Sequence, residues 1–167
     1  MIRFGLVAFL ILGVCSSADQ SQMMQKHQMK QMFQTVQPSE ATLVQKGDQK
    51  LHCARCGMNL VKFYKTSHQA VGDKQTYQYC SIHCLAEHLK SGAHLKDFQV
   101  VDTKTLKFIP VQKAWYVVGS DVHGTMSHVS KYAFANKADA LAFEKKHGGK
   151  VMNFTEAMAV ARKDFTK

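Results

Sequence analysis

The sequence predicts an α+β fold of two small lobes, each with the element order β-β-α-β, followed by a C-terminal helix. Short segments rich in β-branched and aromatic residues, separated by turn residues, recur in the same order in both halves. Each half also contains one helical segment that ends at a glycine. With 167 residues, 46% of them apolar, the chain is long enough to bury a core. We therefore assign residues 51–104 and 105–167 to the two lobes.

The first lobe is predicted to contain three strands and one helix. Residues 67–72 contain polar residues and a glycine, and they are predicted as a turn region. Residues 81–90 are predicted as a helix that is closed by Gly92. The predicted strands are residues 59–64, 76–79 and 98–101.

The second lobe repeats this order. A helix over residues 137–147 is predicted because Asn136 is a strong capping residue and two glycines follow His147. Thr155 is predicted to cap a last helix over residues 156–164. The predicted strands are residues 114–118, 131–134 and 150–154, and residues 105–110 are a further short strand or the crossover between the lobes.

The N-terminus, residues 1–18, has the pattern of a signal peptide. Arg3 supplies the positive charge, residues 4–14 form an apolar run too short to span a bilayer, and small residues follow. Cleavage and lipidation at Cys15 is the alternative, but Val14 before it fits a lipoprotein signal poorly. Either interpretation predicts an exported protein, and we expect it in the periplasm.

Residues 19–50 are predicted to be a Met- and Gln-rich arm or helix with a linker. Thioether sulfur binds Cu(I), so methionines in this arm are candidate ligands, and simple packing is the alternative. Apolar residues at helical spacing favour a short amphipathic helix. They are Met29, Met32, Phe33 and Val36.

The chain carries a formal net charge of +10. Its basic residues are dispersed and not interleaved with aromatic residues, which argues against nucleic acid as a partner. Attraction to an anionic membrane surface or an acidic protein remains open. No catalytic Ser/His/Asp array, phosphate-binding glycine loop or carboxylate pair stands out. The sequence therefore predicts a binding protein and no enzymatic turnover.

Two cysteine pairs form the strongest motif. Cys53 and Cys56, followed by Gly57, have the spacing of a metal-binding knuckle, and Cys80 and Cys84 are spaced to lie on one face of a helix. A knuckle, a hairpin and a helix N-terminus together predict a treble-clef-like cysteine cluster. A structural zinc site made of all four cysteines, disulfides or buried thiols are the alternatives, as is a thiol-disulfide oxidoreductase.

Soft and imidazole ligands accompany the cysteines. Met58 directly follows the first pair, and a glycine-containing loop in the second lobe carries His123, Met126 and His128. Thiolate and thioether together select Cu(I) over Zn²⁺. These residues therefore favour Cu(I), with Met58, Met126 and His123 as candidate ligands beside the four cysteines.

Several segments match a known pattern over roughly residues 51–155. They are Cys56-Gly57-Met58, residues 114–121, Gly124-Thr125-Met126, and residues 131–134, 138–143, 147–151 and Phe154. In these segments the chain resembles the NosL family, exported copper-binding accessory proteins for maturation of nitrous oxide reductase. The resemblance implies a two-lobed protein that binds Cu(I) and transfers it to a copper-enzyme assembly partner.

The resemblance also implies a ligand set. It points to Cys56, Met58 and Met126, with Cys53 matching some members. His123 and Ser127 depart from a loop that is usually richer in Gly and Met. Cys80 and Cys84 are a pair that many members lack, and residues 79–84 resemble the TRASH type of metal-trafficking segment.

Overall fold

The computed structural model describes residues 32–164. The predicted signal peptide, Cys15 and the arm up to Gln31 lie outside these residues. None of the helices in this range combines the length and the hydrophobicity of a membrane-spanning segment. Residues 32–36 do not form the predicted amphipathic helix, because Thr35 N–H donates to the Met32 carbonyl in a turn and Pro38 begins a short 3₁₀ segment.

The first sheet has four antiparallel strands in the order β2-β1-β3-β4. Helix α1, Ile82–Lys90, follows β2 with Ser81 as its N-cap residue. The strands are β1 His68–Val71, β2 Thr76–Tyr79, β3 Lys96–Val101 and β4 Phe108–Pro110. The β1-β2 hairpin therefore delivers the chain directly from a strand end into the first turn of α1.

The second sheet has three antiparallel strands in the order β6-β5-β7. Helix α2, Lys137–His147, connects β6 to β7, and helix α3, Phe154–Lys163, follows β7. The strands are β5 Trp115–Val118, β6 Lys131–Phe134 and β7 Lys150–Met152. Both halves thus show the β-β-α-β order, and the mixed α+β architecture with a C-terminal helix is confirmed.

One hydrophobic core joins the two sheets. Tyr79 and Val100 of the first sheet and Tyr116 of the second belong to the same buried cluster. Helix α1 packs against α3, so Leu85 and Ala157 are also fully buried in it. Each fully buried aliphatic side chain contributes roughly 1.5–3 kcal/mol. This shared core holds the second sheet against the first.

Two predicted elements of the first lobe are wrong. Residues 59–64 form turns, because the Asn59 side chain accepts the N–H groups of Val61 and Lys62 and bends the chain there. Residues 67–72 are mostly strand β1. The turn comes later, where Gly72 N–H donates to the Gln75 carbonyl.

The start of α3 also differs from the prediction. Asn153, and not Thr155, is the N-cap residue, because its side chain accepts the Glu156 N–H at 3.0 Å and Glu156 accepts the Asn153 N–H at 2.8 Å. Strand β7 accordingly ends at Met152 and Phe154 begins the helix. The reciprocal capping box satisfies two backbone donors at this helix end.

We expect Asn153→Ala to lower the free energy of unfolding by about 1 kcal/mol, because it removes the capping acceptor. Chemical denaturation of the purified protein measures this change. Thr155→Ala, at an exposed position within the same turn, is the matched control and should change stability far less. Equal losses in the two variants would contradict the assignment of the cap.

Candidate metal centre

The first cysteine pair lies on a tight knuckle. Cys53 N–H donates to the Met58 carbonyl at 2.8 Å, and Gly57 N–H donates to the Cys53 carbonyl at 3.0 Å. Gly57 has φ +73°, in the left-handed region that glycine adopts without strain. Ala54 N–H also donates to the Gln78 carbonyl, which fastens the knuckle to strand β2.

The second pair lies where β2 passes into α1. Cys80 follows the last residue of β2, and Cys84 is in the first turn of the helix. Backbone N–H groups in that turn lack carbonyl partners within the helix and favour negative charge nearby. The hairpin and the helix start therefore place two thiols opposite the knuckle.

The four thiols meet at one point. Cys56 Sγ is 3.5 Å from Cys80 Sγ, and Cys80 Sγ is 3.7 Å from Cys84 Sγ. All four sulfur atoms, including that of Cys53, lie within 4.8 Å of one another. None of the four forms a disulfide. The predicted pairs thus converge on a cluster whose donor set fits a thiophilic metal ion.

Burial distinguishes the four cysteines. Cys80 and Cys84 are completely buried and Cys53 is 4% exposed, whereas Cys56 is only half-buried. An ion in the cluster would be shielded from solvent on most sides, because three of its sulfur donors lie in the core. Cys56 is the thiol through which incoming metal or a partner's ligand has the easiest access.

Hydrogen bonding shifts the pKa values of the four thiols in opposite directions. The Cys80 side chain bonds to the sulfur atoms of the knuckle and lowers the pKa of both Cys53 and Cys56. Hydrogen bonds with Cys53 are the largest cause that raises the pKa of Cys80 and that of Cys84. The knuckle sulfurs therefore take up negative charge more readily than those of Cys80 and Cys84, and a metal ion displaces the protons of the thiols that it binds.

Met58 lies beside this cluster. Its side chain is half-buried and packs against the core that contains Cys53, Cys80 and Cys84. Its backbone also lowers the pKa of Cys56 by hydrogen bonding. The structure therefore places one predicted thioether donor on the knuckle itself.

Met126 and His123 lie on the loop between β5 and β6. The Met126 side chain is 41% exposed, and the His123 side chain is also exposed. The His123 carbonyl accepts hydrogen bonds from Gln34 Nε2 and from the Tyr132 hydroxyl, both at 2.6 Å. These two predicted residues are thus on an anchored surface loop, outside the group of four thiols.

A buried hydroxyl links this loop to the thiol cluster. Thr66 Oγ1 is 2.7 Å from the Cys80 carbonyl and 2.8 Å from Thr125 Oγ1, next to Met126. The sequence analysis missed Thr66, because a threonine outside any motif carries no signal of such a role. It also missed Lys131, whose Nζ donates to Ser127 Oγ at 3.0 Å and so supports the other side of the loop.

His83, between the two helix cysteines, takes another role. Its Nδ1 is 3.5 Å from Asp164 Oδ2, and Lys131 Nζ is 3.2 Å from the same oxygen. These groups connect the start of α1 to the residue after α3. The four-cysteine group does not include His83.

The chain is similar to known proteins both in its sequence profile and in its structure. The sequence profile of the NosL family matches residues 44–160. The crystal structure of the copper chaperone NosL from Shewanella denitrificans is similar at 26% identity with a TM-score of 0.54. That match covers 67% of this chain and 92% of the Shewanella chain. No curated protein matches significantly.

Proposed function

The chain belongs to the NosL family, and from that premise we propose that it is an exported, metallochaperone-like Cu(I)-binding accessory protein. It delivers copper for maturation of a copper enzyme such as nitrous oxide reductase. The observation that carries the proposal is the convergence of four thiols within 4.8 Å, with the Met58 thioether on the same knuckle. Thiolate with thioether is the ligand chemistry that favours Cu(I).

The cargo is transferred by ligand exchange. Cu(I) enters at Cys56, the most accessible of the four thiols, and thiolates of the cluster, those of Cys56 and Cys80 among them, hold it together with the Met58 thioether. Met126 completes the ligand set from the adjacent loop. A partner's soft ligands then displace these donors one at a time. Because protons compete for the sulfur atoms, retention of copper weakens as the pH falls.

The site of action follows from the N-terminus. A cleaved signal peptide over residues 1–18 places the mature protein in the periplasm, with lipid anchoring at Cys15 as the alternative. The partner is an apo copper enzyme or its assembly machinery. Residues 1–18 contribute only Arg3 to the formal charge of +10, so the mature protein stays strongly basic, which favours approach to an acidic partner or an anionic membrane surface.

Copper titration tests the ligand set. We expect the reduced protein to bind Cu(I) tightly, and Met58→Leu and Met126→Leu to weaken binding by roughly tenfold each, equivalent to about 1.4 kcal/mol. Competition with a chromophoric Cu(I) chelator under anaerobic conditions measures the affinity. Met158→Leu is the control, because Met158 is buried in the core and is not proposed as a ligand. Undiminished affinity in both thioether variants would reject the proposed ligand set.

A structural zinc site is the second candidate. Zinc bound to four thiolates at about 2.3 Å in a tetrahedron requires sulfur separations of about 3.8 Å. The separations of 3.5 and 3.7 Å at Cys80 are close to that value. Zinc would need only the thiols, so both thioether variants should keep full zinc affinity. Metal analysis of protein purified from its native compartment decides which ion the cluster carries.

A further inference from the structure

Thr66 connects the thiol cluster to the loop that carries Met126. It is 2% exposed, and its hydroxyl donates to the Cys80 carbonyl at 2.7 Å. A hydroxyl has one hydrogen and two lone pairs. Thr66 Oγ1 also lies 2.8 Å from Thr125 Oγ1, so the same hydroxyl is within hydrogen-bond distance of the Cys80 carbonyl and of the Thr125 hydroxyl. The chain of contacts runs from a cluster cysteine, through one buried side chain, to the neighbour of Met126.

The loop around Met126 has little freedom to move. Met126 has φ +60°, in the left-handed region that a non-glycine residue adopts at an energetic cost. Thr125 before it is 5% exposed. A Cβ atom on Gly124 would lie 2.5 Å from the Ser127 carbonyl oxygen, so the loop closes tightly on itself. The buried Thr125 contact is therefore one of the interactions that hold this conformation.

We infer that Thr66 is a positioning residue that holds the Met126 thioether toward the copper bound at the thiols. This inference rests on the proposed function and adds a specific residue to it. Metal-ligand geometry is commonly fixed by buried hydrogen bonds behind the ligands, and their removal weakens metal binding by roughly 10- to 100-fold. Here the Thr66 hydroxyl orients the backbone of one proposed ligand, Cys80, and the loop that carries another, Met126.

A double-mutant cycle tests the coupling. We expect Thr66→Val, which keeps the shape and removes the hydroxyl, to weaken Cu(I) binding by about tenfold. Thr66→Ser restores the hydroxyl and should restore the affinity. In the Met126→Leu background, Thr66→Val should cause no further loss, because the thioether that it positions is absent.

Ser67→Ala is the matched control for a merely structural effect. Ser67 is completely buried, and its hydroxyl donates to the Tyr79 carbonyl at 2.8 Å, one residue before Cys80. Its loss should lower stability as Thr66→Val does but leave Cu(I) affinity unchanged. A second readout is the ¹³C-methyl NMR signal of Met126, which should shift on Cu(I) addition in the wild type and much less in Thr66→Val.

The possible outcomes distinguish failure of this inference from failure of the proposed function. Additive losses in the cycle, an equal loss of affinity in Ser67→Ala, or an unaffected Met126→Leu variant would overturn the role of Thr66 while leaving a copper-binding protein. Failure of the wild-type chain to bind Cu(I) would reject the proposed function and this role together.

Discussion

Replacing Cys80 with serine is expected to weaken Cu(I) binding on the order of 100-fold or more, about 2.7 kcal/mol. The Cys80 sulfur lies 3.5 Å from that of Cys56 and 3.7 Å from that of Cys84, and it also hydrogen-bonds to Cys53. It is thus in contact with every other thiol of the cluster. A serine hydroxyl is a poor ligand for a soft ion such as Cu(I).

Anaerobic competition against a chromophoric Cu(I) chelator measures this loss. The matched control is Ser81→Ala, at the next residue, where the buried hydroxyl has no hydrogen-bond partner among the described residues. That variant should bind copper as the wild type does. Because serine is close in size to cysteine, circular dichroism of the metal-free Cys80→Ser protein should still show the native fold. Wild-type copper affinity in Cys80→Ser would exclude the cluster as the cargo site.

Local sequence signals predicted the second lobe well. The helix α2 begins after Asn136, whose side chain accepts the Ala138 N–H, and ends at Gly148 with φ +69°, as its capping residues indicate. Strand β6 also matches its prediction, Lys131–Phe134. These elements were predictable because the residues that start and stop them are adjacent in sequence.

The strands of the first lobe were harder to predict because contacts between residues distant in sequence determine where they form. The residues around His68 are polar and indicate a turn, but His68 is completely buried in strand β1. Its ring bonds to the Tyr116 hydroxyl, 48 residues away. A histidine that is buried by a distant partner has no local sequence signature, since the polar residues around it resemble those of an exposed turn.

The metal centre also combines features that local sequence predicts with features that depend on long-range contacts. The pairs Cys53/Cys56 and Cys80/Cys84 were predictable from their spacing alone, and the β1-β2 hairpin brings them together. The link from Cys80 through Thr66 to Thr125 spans 59 residues between its two hydroxyl groups. Such a contact depends on how the β5-β6 loop packs against the first sheet, which a single sequence does not specify.

Acid should destabilise this protein through His68. The ring is completely buried between the two sheets, with Nδ1 3.0 Å from the Thr66 carbonyl and Nε2 3.1 Å from the Tyr116 hydroxyl. The neutral ring satisfies both contacts, because Nδ1–H donates to the carbonyl and Nε2 accepts the hydroxyl hydrogen. Burial lowers the pKa of His68 from 6.5 to about 4. Protonation therefore favours the unfolded chain.

The sign and size of the effect follow from linkage. Above the unfolded-state pKa of 6.5 the stabilisation is fully present, and it is lost as the pH falls toward the folded-state pKa of about 4. Over this window the His68 contribution amounts to about 3 kcal/mol of unfolding free energy. We expect His68→Gln to have a smaller dependence of stability on pH across the same window.

Urea denaturation of metal-free, reduced protein at several pH values between about 7 and about 4 measures this difference. Since carboxylates and thiols also titrate, the comparison is between wild type and variant at each pH. His94→Gln, at an exposed position, should keep the wild-type slope. Parallel curves for wild type and His68→Gln would show that the buried ring does not cause the acid sensitivity. The loss of stability in acid would then have to come from protonation of another group.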